Sequence, residues 1–396
     1  MKTVFLFSVL FCILAVRASG SEPVFLWNVD FPCCGNSVVR DAAEDSSGGF
    51  VVVGDVCSGT MGQNALSVCG IDSAGSVIWE NTALNLGSAS GYSIEKSGEG
   101  FVLCGVCTDS CGGNGLVMKV SESDGSTMWI RSVGYDGDDG LYDLCVGRNN
   151  ETVAVGYSID EETQDSDVFA VCVSDSGNVL WIKRFVAAGQ QAAYSVVPST
   201  DRDGGFILTG ADNGEVFLMK IDNQGNWLWK TSYPLEGNQI GRSLTPYSNE
   251  GYIVAGSTSG ADGYPDVLLV FFDENGSVVR NYTRDTEGPD SACFIQEVSP
   301  AGFVVLLNSN SGTGEGYHPY LLRFDPWLSI IWSVKIVDRG AFCYSLLQTS
   351  DGGFLVTGKS SSTEEDSEYS SCVVRLSPED LLNWEDETVP VSPSGY

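Results

Sequence analysis

Three kinds of side chain in this 396-residue sequence have types and spacings that would do chemistry. The first is the carboxylate. Asp136, Asp138 and Asp139 crowd the segment Gly-Tyr-Asp-Gly-Asp-Asp-Gly, and hard oxygen ligands at alternating spacing suit calcium. No Glu follows at the distance of a bidentate calcium-loop ligand, so the plainer reading is a solvated acidic loop. Ca2+ is the one ion suggested, and no organic cofactor is predicted. Paired carboxylates would also serve as acid and base in glycoside cleavage, although 52 acidic residues make chance pairings common. The second is cysteine. Cys104 and Cys107 have the spacing of a redox or metal pair, but they close an apolar strand, and no second pair stands at zinc spacing. They read as a loop staple. The third is the single histidine, His318, which a Ser-His-Asp hydrolase would require as its base. In its setting, Gly-Tyr-His-Pro-Tyr, it reads as a surface loop residue.

A repeat must position these groups. Phe50-Val-Val-Val-Gly54 returns in seven copies, the last Phe354-Leu-Val-Thr-Gly358, at steps of 51, 51, 54, 46, 51 and 51 residues. A fixed period near 50 marks a repeat architecture. Each copy is followed by a second apolar strand and then by a turn, as in Asp72 to Gly75 or Asp222 to Gly225. Asp caps such a turn and Gly takes its left-handed position. A strand bearing Trp79, Trp129, Trp181 or Trp229 comes next; Trp332 and Trp384 keep the register and Arg280 breaks it. A further strand leads into the next copy. Alternation with β-branched and aromatic residues supports strands throughout, and nothing reads as a long amphipathic helix. One four-stranded unit cannot bury both faces, whereas a ring of units can. The expected fold is all-β, a seven-bladed β-propeller of four-stranded blades, with eight blades as the alternative. The motif's aromatic is expected between blades and its glycines in tight turns. Trp27 adds an extra strand of the Trp type, so residues 24–29 are expected to complete the seventh unit, beside or instead of 382–386.

The pattern Gly-Gly-Phe with an apolar strand, then Asp-x-x-Gly-x-x-x-Trp, resembles the degenerate propeller repeats of secreted bacterial and protist proteins. More distantly it is similar to the quinoprotein dehydrogenase-like superfamily, over residues 24–386. The resemblance implies a fold and leaves function open. Some members of that superfamily set a vicinal disulfide against the cofactor; here the vicinal pair Cys33-Cys34 precedes the first blade, and the chain is much shorter. A sialidase Asp-box also fails, because its intervals differ from those of the Asp-x-x-Gly-x-x-x-Trp turn.

In a propeller the first strand of each blade lines the central channel. Those strands carry Arg40 and Asp41, Tyr92, Tyr142 and Asp143, Tyr194, Arg242 and Tyr344. The recurring Tyr reads as packing between blades. The charged residues break that register, and they either pair with one another across the channel or meet a ligand. A channel mouth is the usual propeller site, so Arg40, Asp41, Tyr142, Asp143 and Arg242 form the candidate ligand set.

Residues 1–20, with Lys2 before an apolar run and small residues at Ala18 to Gly20, read as a signal peptide. The run is too short to span a bilayer. The polar tail 387–396 carries no lipid-anchor signal. Cys12 leaves with the signal, so 12 of 13 cysteines remain, and disulfides are expected in an oxidising compartment. Sequons at Asn150, Asn275 and Asn281 would be glycosylated there. A formal charge of −32 repels nucleic acid and anionic lipid. The expected protein is secreted or luminal, acidic and glycosylated, without a membrane span. It is expected to bind an extracellular glycan or, second, a protein. A carboxylate-based glycoside-cleaving enzyme and a structural surface protein without a discrete ligand are the alternatives.

Overall fold

The computed structural model describes residues 25–27 and 36–377, apart from 58–62, 84–85, 110–111, 136, 248–250, 260–262, 285–287, 299–301, 311–315, 338–339 and 362–368. Its strands form seven separate four-stranded antiparallel sheets, and the described residues contain no helix. Blade one runs Ser37–Glu44, Phe50–Cys57, Asn64–Ile71 and Val77–Ala83, from the channel outward, and the next five follow the same order. This is a seven-bladed β-propeller, and the eight-bladed alternative falls.

The seventh blade draws on both ends of the chain. Ala341–Gln348, Phe354–Ser361 and Tyr369–Leu376 are completed by Phe25–Trp27, whose residues pair with Arg375, Val374 and Val373. The expected closing strand is therefore observed; residues 382–386 lie outside the described residues, as do 1–20, 387–396 and Cys33-Cys34. The seam between blades seven and one is hydrogen-bonded as well. Tyr369 donates its amide to Asn36 Oδ1 at 2.8 Å, and Ser371 donates to Ser37 Oγ at 3.0 Å.

Apolar cores lie between blades rather than within them. Val153, Val155 and Ala170 of blade three pack with Phe206, Leu208 and Phe217 of blade four. Burying both faces of every sheet is what one blade alone cannot do. The motif's aromatic sits in these cores as expected: Phe50, Phe101, Phe206 and Phe303 are fully buried. The two cysteines of the expected staple face opposite cores, Cys107 toward blade one and Cys104 toward blade three. Three residues apart on one strand, their side chains point to opposite faces, so they do not join each other. Among the described residues no disulfide is formed.

The outer Trp explains the turn glycine. A Cβ at Gly125, Gly177, Gly225 or Gly276 would fall 2.2–2.8 Å from the ring of the preceding blade's Trp79, Trp129, Trp181 or Trp229. The indoles of Trp129 and Trp181 donate to the carbonyls of Asp175 and Asn223 at 3.0 Å. Where Arg280 replaces Trp, the matching position of the next turn is Leu328, with φ of 71°. Arg280 reaches that turn through Pro326 O at 3.0 Å. Trp and Gly thus depart together. Gly177→Ala, at φ of 79° under Trp129, is expected to cost about 2 kcal/mol, read as a lowered urea midpoint with unchanged m. A loss below about 0.5 kcal/mol would show that the indole moves aside freely.

His318 corrects an expectation. It opens the strand His318–Phe324, pairs with Ser309 and is 7 % exposed. Pairing with the preceding strand draws it inside, so it is no surface loop residue.

Candidate functional site

All five candidate channel residues line one cavity of about 450 Å³. A bulge in every inner strand puts them there. Pairing with the second strand slips between Val39 and Asp41, Gly91 and Ser93, Leu141 and Asp143, and at the same place in the other four blades. The residue skipped in each slip lines the cavity. The seven are Arg40, Tyr92, Tyr142, Tyr194, Arg242, Cys293 and Tyr344.

The second glycine of the repeat motif sits opposite this bulge. A Cβ on Gly54, Gly156 or Gly256 would fall 1.8–1.9 Å from the carbonyl oxygen of Val38, Gly140 or Ile240 on the inner strand. This glycine makes room for the bulged strand and lies in mid-strand, not in the expected tight turn. Blade six keeps its bulge with Leu307 at that position, so the glycine relieves crowding without being a condition for the bulge. The bulge also corrects the reading of the tyrosines. An extra residue breaks strand alternation, and the rings line the channel instead of packing between blades.

Arg40 and Arg242 occupy the tyrosine register and do not pair with Asp41 or Asp143. Arg40 donates through Nη2 and Nε to Asp55 Oδ1, at 2.8 and 3.1 Å, within its own blade. Its guanidinium lies 4.6 Å from the Tyr92 ring centre and 5.5 Å from that of Tyr344. Burial works against its charge, but Asp55, Tyr92 and Tyr344 together outweigh that and raise its pKa. Tyr92 meets Tyr142 edge-on at 5.3 Å, and Tyr142 meets Tyr194 at 5.2 Å. Arg242 lies 5.1 Å from the Tyr194 ring and is exposed. Burial pushes the Tyr142 hydroxyl up and that of Tyr344 up to about 12, and the Cys293 thiol up to about 11. All three are neutral at pH 7.

Asp41 and Asp143 stand one residue further along and are engaged in holding blades together. Asp41 accepts from Ser345 Oγ at 2.6 Å on blade seven and from the Ile94 amide at 2.9 Å on blade two. Asp143 accepts from Ser93 Oγ at 3.0 Å on blade two and from the Val196 amide at 2.8 Å on blade four. Inner strands are sheet edges whose channel-side amides lack a ladder partner, and the neighbouring blade's side chain supplies one. Two positions further along, Glu95 accepts from the Val146 amide at 2.8 Å, and Gln296 accepts from that of Gln348 at 2.9 Å. Burial raises Asp41 to about 6 and Glu95 to about 8, and raises Asp143 as well.

The acidic loop is less convergent. Asp138 accepts from the Gly113 amide at 3.0 Å and Asp139 from that of Tyr135 at 2.6 Å, while Asp136 lies outside the described residues. Among the described residues no group of three or more His, Cys, Asp or Glu comes together to hold a metal.

The antiparallel order fixes which face each part occupies. The cavity is lined from the first halves of the inner strands, as by Ser291 of Asp290–Glu297 and Phe342 of Ala341–Gln348. That face also holds the loops between second and third strands. The turns carrying Asn150 and Asn275 lie on the opposite face, and Asn281 is on an outer strand; all three are exposed.

Fold and site define a seven-bladed β-propeller with an aromatic and polar channel cavity. No protein-family model matches the sequence, and no curated protein matches it. Solved structures resemble it at the level of fold. Sqt1 of Chaetomium thermophilum, bound to the N-terminus of a ribosomal protein, superposes with a TM-score of 0.51 at 12% identity, covering 89% of this chain and 100% of that one. The quinohemoprotein alcohol dehydrogenase of Comamonas testosteroni gives 0.51 at 10%, over 89% and 76%. A mutant of the NanB sialidase of Streptococcus pneumoniae gives 0.53 at 11%, over 92% and 72%. The likeness to the quinohemoprotein enzyme bears out the fold-level resemblance seen in the repeat.

Proposed function

We propose that this is a secreted glycoprotein that binds carbohydrate in the channel cavity. The observation that carries the reading is the cavity wall: Tyr92, Tyr142, Tyr194 and Tyr344 stand in one ring with Arg40 and Arg242, with serine hydroxyls beside them, around about 450 Å³. Sugars present apolar C–H faces and a rim of hydroxyls, and such a wall offers a partner to each. The test is a broad glycan array probed with the chain from residue 21 onward, with calcium and again with a chelator. Binding that survives chelation is expected. Calcium-dependent binding would move the site to the acidic loop around Asp138, and no binding in either condition would leave a protein partner as the better reading.

A second reading, glycoside cleavage by Asp41 and Asp143, is favoured by their raised pKa values within the cavity. Against it, both oxygens of each carboxylate already accept hydrogen bonds between blades. Turnover of aryl glycosides, lost in Asp41→Asn, would revive it. Secretion carries its own expected result. Chain made in a eukaryotic secretory cell should lose mass equivalent to three N-glycans on enzymatic deglycosylation and keep its array binding, because the three sequons lie away from the cavity. An unchanged mass would overturn the glycoprotein reading.

A further inference from the structure

The two arginines of the channel ring differ in one respect. Arg40 is neutralised by Asp55 at 2.8 Å and held between two tyrosine rings. Arg242 is exposed, lies 5.1 Å from the Tyr194 ring centre, and has no carboxylate within salt-bridge distance among the described residues. Other arginines without a carboxylate partner, such as Arg131, Arg148 and Arg280, give their N–H groups to backbone carbonyls; Arg242 makes no such bond among the described residues. Its ring neighbours, Tyr194 and Cys293, are uncharged side chains. The cavity's own carboxylates are committed elsewhere, Asp41 to blades seven and two, Asp143 to blades two and four. The ring therefore presents one guanidinium without a paired carboxylate, a planar fork that matches a carboxylate in two parallel hydrogen bonds.

We infer that the cavity's ligand bears a carboxylate that Arg242 receives; on the carbohydrate reading, from which this step follows, the ligand is an acidic sugar. The contact with Tyr194 holds the guanidinium at the cavity wall and leaves its N–H groups free for the ligand. The tyrosine rings lining the same cavity then pack on the sugar.

Three probes test this by calorimetry at pH 7: D-glucuronate, D-glucose and benzoate, each with the unaltered chain and with Arg242→Gln. Arg242 is exposed, so the variant should keep the thermal midpoint of the parent. Glucuronate is expected to bind at least ~10-fold more tightly than glucose, the ratio that about 1.4 kcal/mol from one charged hydrogen-bonded contact gives. Arg242→Gln should bring the two sugars to equal, weak affinity. Equal binding of both sugars to the parent chain, or a preference that survives Arg242→Gln, would overturn the inference and leave the carbohydrate reading standing. Binding of benzoate alone, lost in Arg242→Gln, would support the carboxylate site and overturn the carbohydrate reading. No binding of either carboxylate would overturn the inference outright.

Discussion

Raising the pH from 5 to 8 is expected to destabilise the folded chain by several kcal/mol, with most of the loss removed by Glu95→Gln. Burial holds Glu95 at about 8 and Asp41 at about 6. Both lie above their values in an unfolded chain, so the folded state binds more protons between those limits. Stability from such groups is complete below the unfolded pKa and is lost as pH rises through the folded one. At about 1.4 kcal/mol per unit, Glu95 alone accounts for roughly 4 kcal/mol across this range and Asp41 for about 1 more. Below pH 4 the slope reverses: burial pushes Asp351 and Asp201 up, but hydrogen bonds from Thr349 and the Gly353 amide with the Arg375 charge hold the first below its usual range, and Lys220 does so for the second. Stability should therefore peak near pH 5. The protein contains its own precedent for the variant: Gln296 makes the corresponding inter-blade bond in blade six without a charge. Urea denaturation at pH 5, 6.5 and 8 decides it. A slope unchanged by Glu95→Gln would show that Glu95 ionises at an ordinary pH, with water reaching it through the channel.

Arg40→Ala is the second large effect. It would leave Asp55, 4 % exposed, without its salt-bridge partner and would empty the space between Tyr92 and Tyr344. Removing one member of a buried pair costs about 3–5 kcal/mol, most of it the stranded charge. Arg40→Ala with Asp55→Ala should recover part of that loss, and the difference in a double-mutant cycle measures the coupling. A single-mutant loss under ~1 kcal/mol would place the pair with solvent-screened surface bridges.

The blades were legible in the sequence because their signal is periodic. The motif ending at Gly54, the turn ending at Gly75 and Trp79 are each repeated, and the missing fourth strand of the last unit was predicted from Trp27. The site was legible only in part. Alternation assigns Tyr92 and Tyr344 to the blade cores; one extra residue at the bulge turns them into the channel. Cys293 went unnoticed because neither its size nor its charge resembles Tyr or Arg. Spacing would have found it: it stands fourteen residues before Leu307, as Arg40 does before Gly54, Tyr142 before Gly156 and Tyr344 before Gly358. The pairing of Arg40 with Asp55 is set by register between two strands of one blade, which composition does not reveal. His318 failed for a similar reason, since the strand after a long loop begins where pairing with Ser309 starts.

The strand Phe25–Trp27 leaves the ribosome about 340 residues ahead of its partner Tyr369–Leu376. At about 5–20 residues per second, it waits roughly 20–70 s for that partner to emerge. Blades one to six can stack in order as they leave the ribosome, but the ring cannot be latched until Tyr369–Leu376 has emerged. During that interval the outer edge of the growing stack and the waiting N-terminal strand are both open to wrong pairings. The cell is thus asked to shelter an incomplete ring for longer than it would a chain of the same length whose blades each closed on themselves.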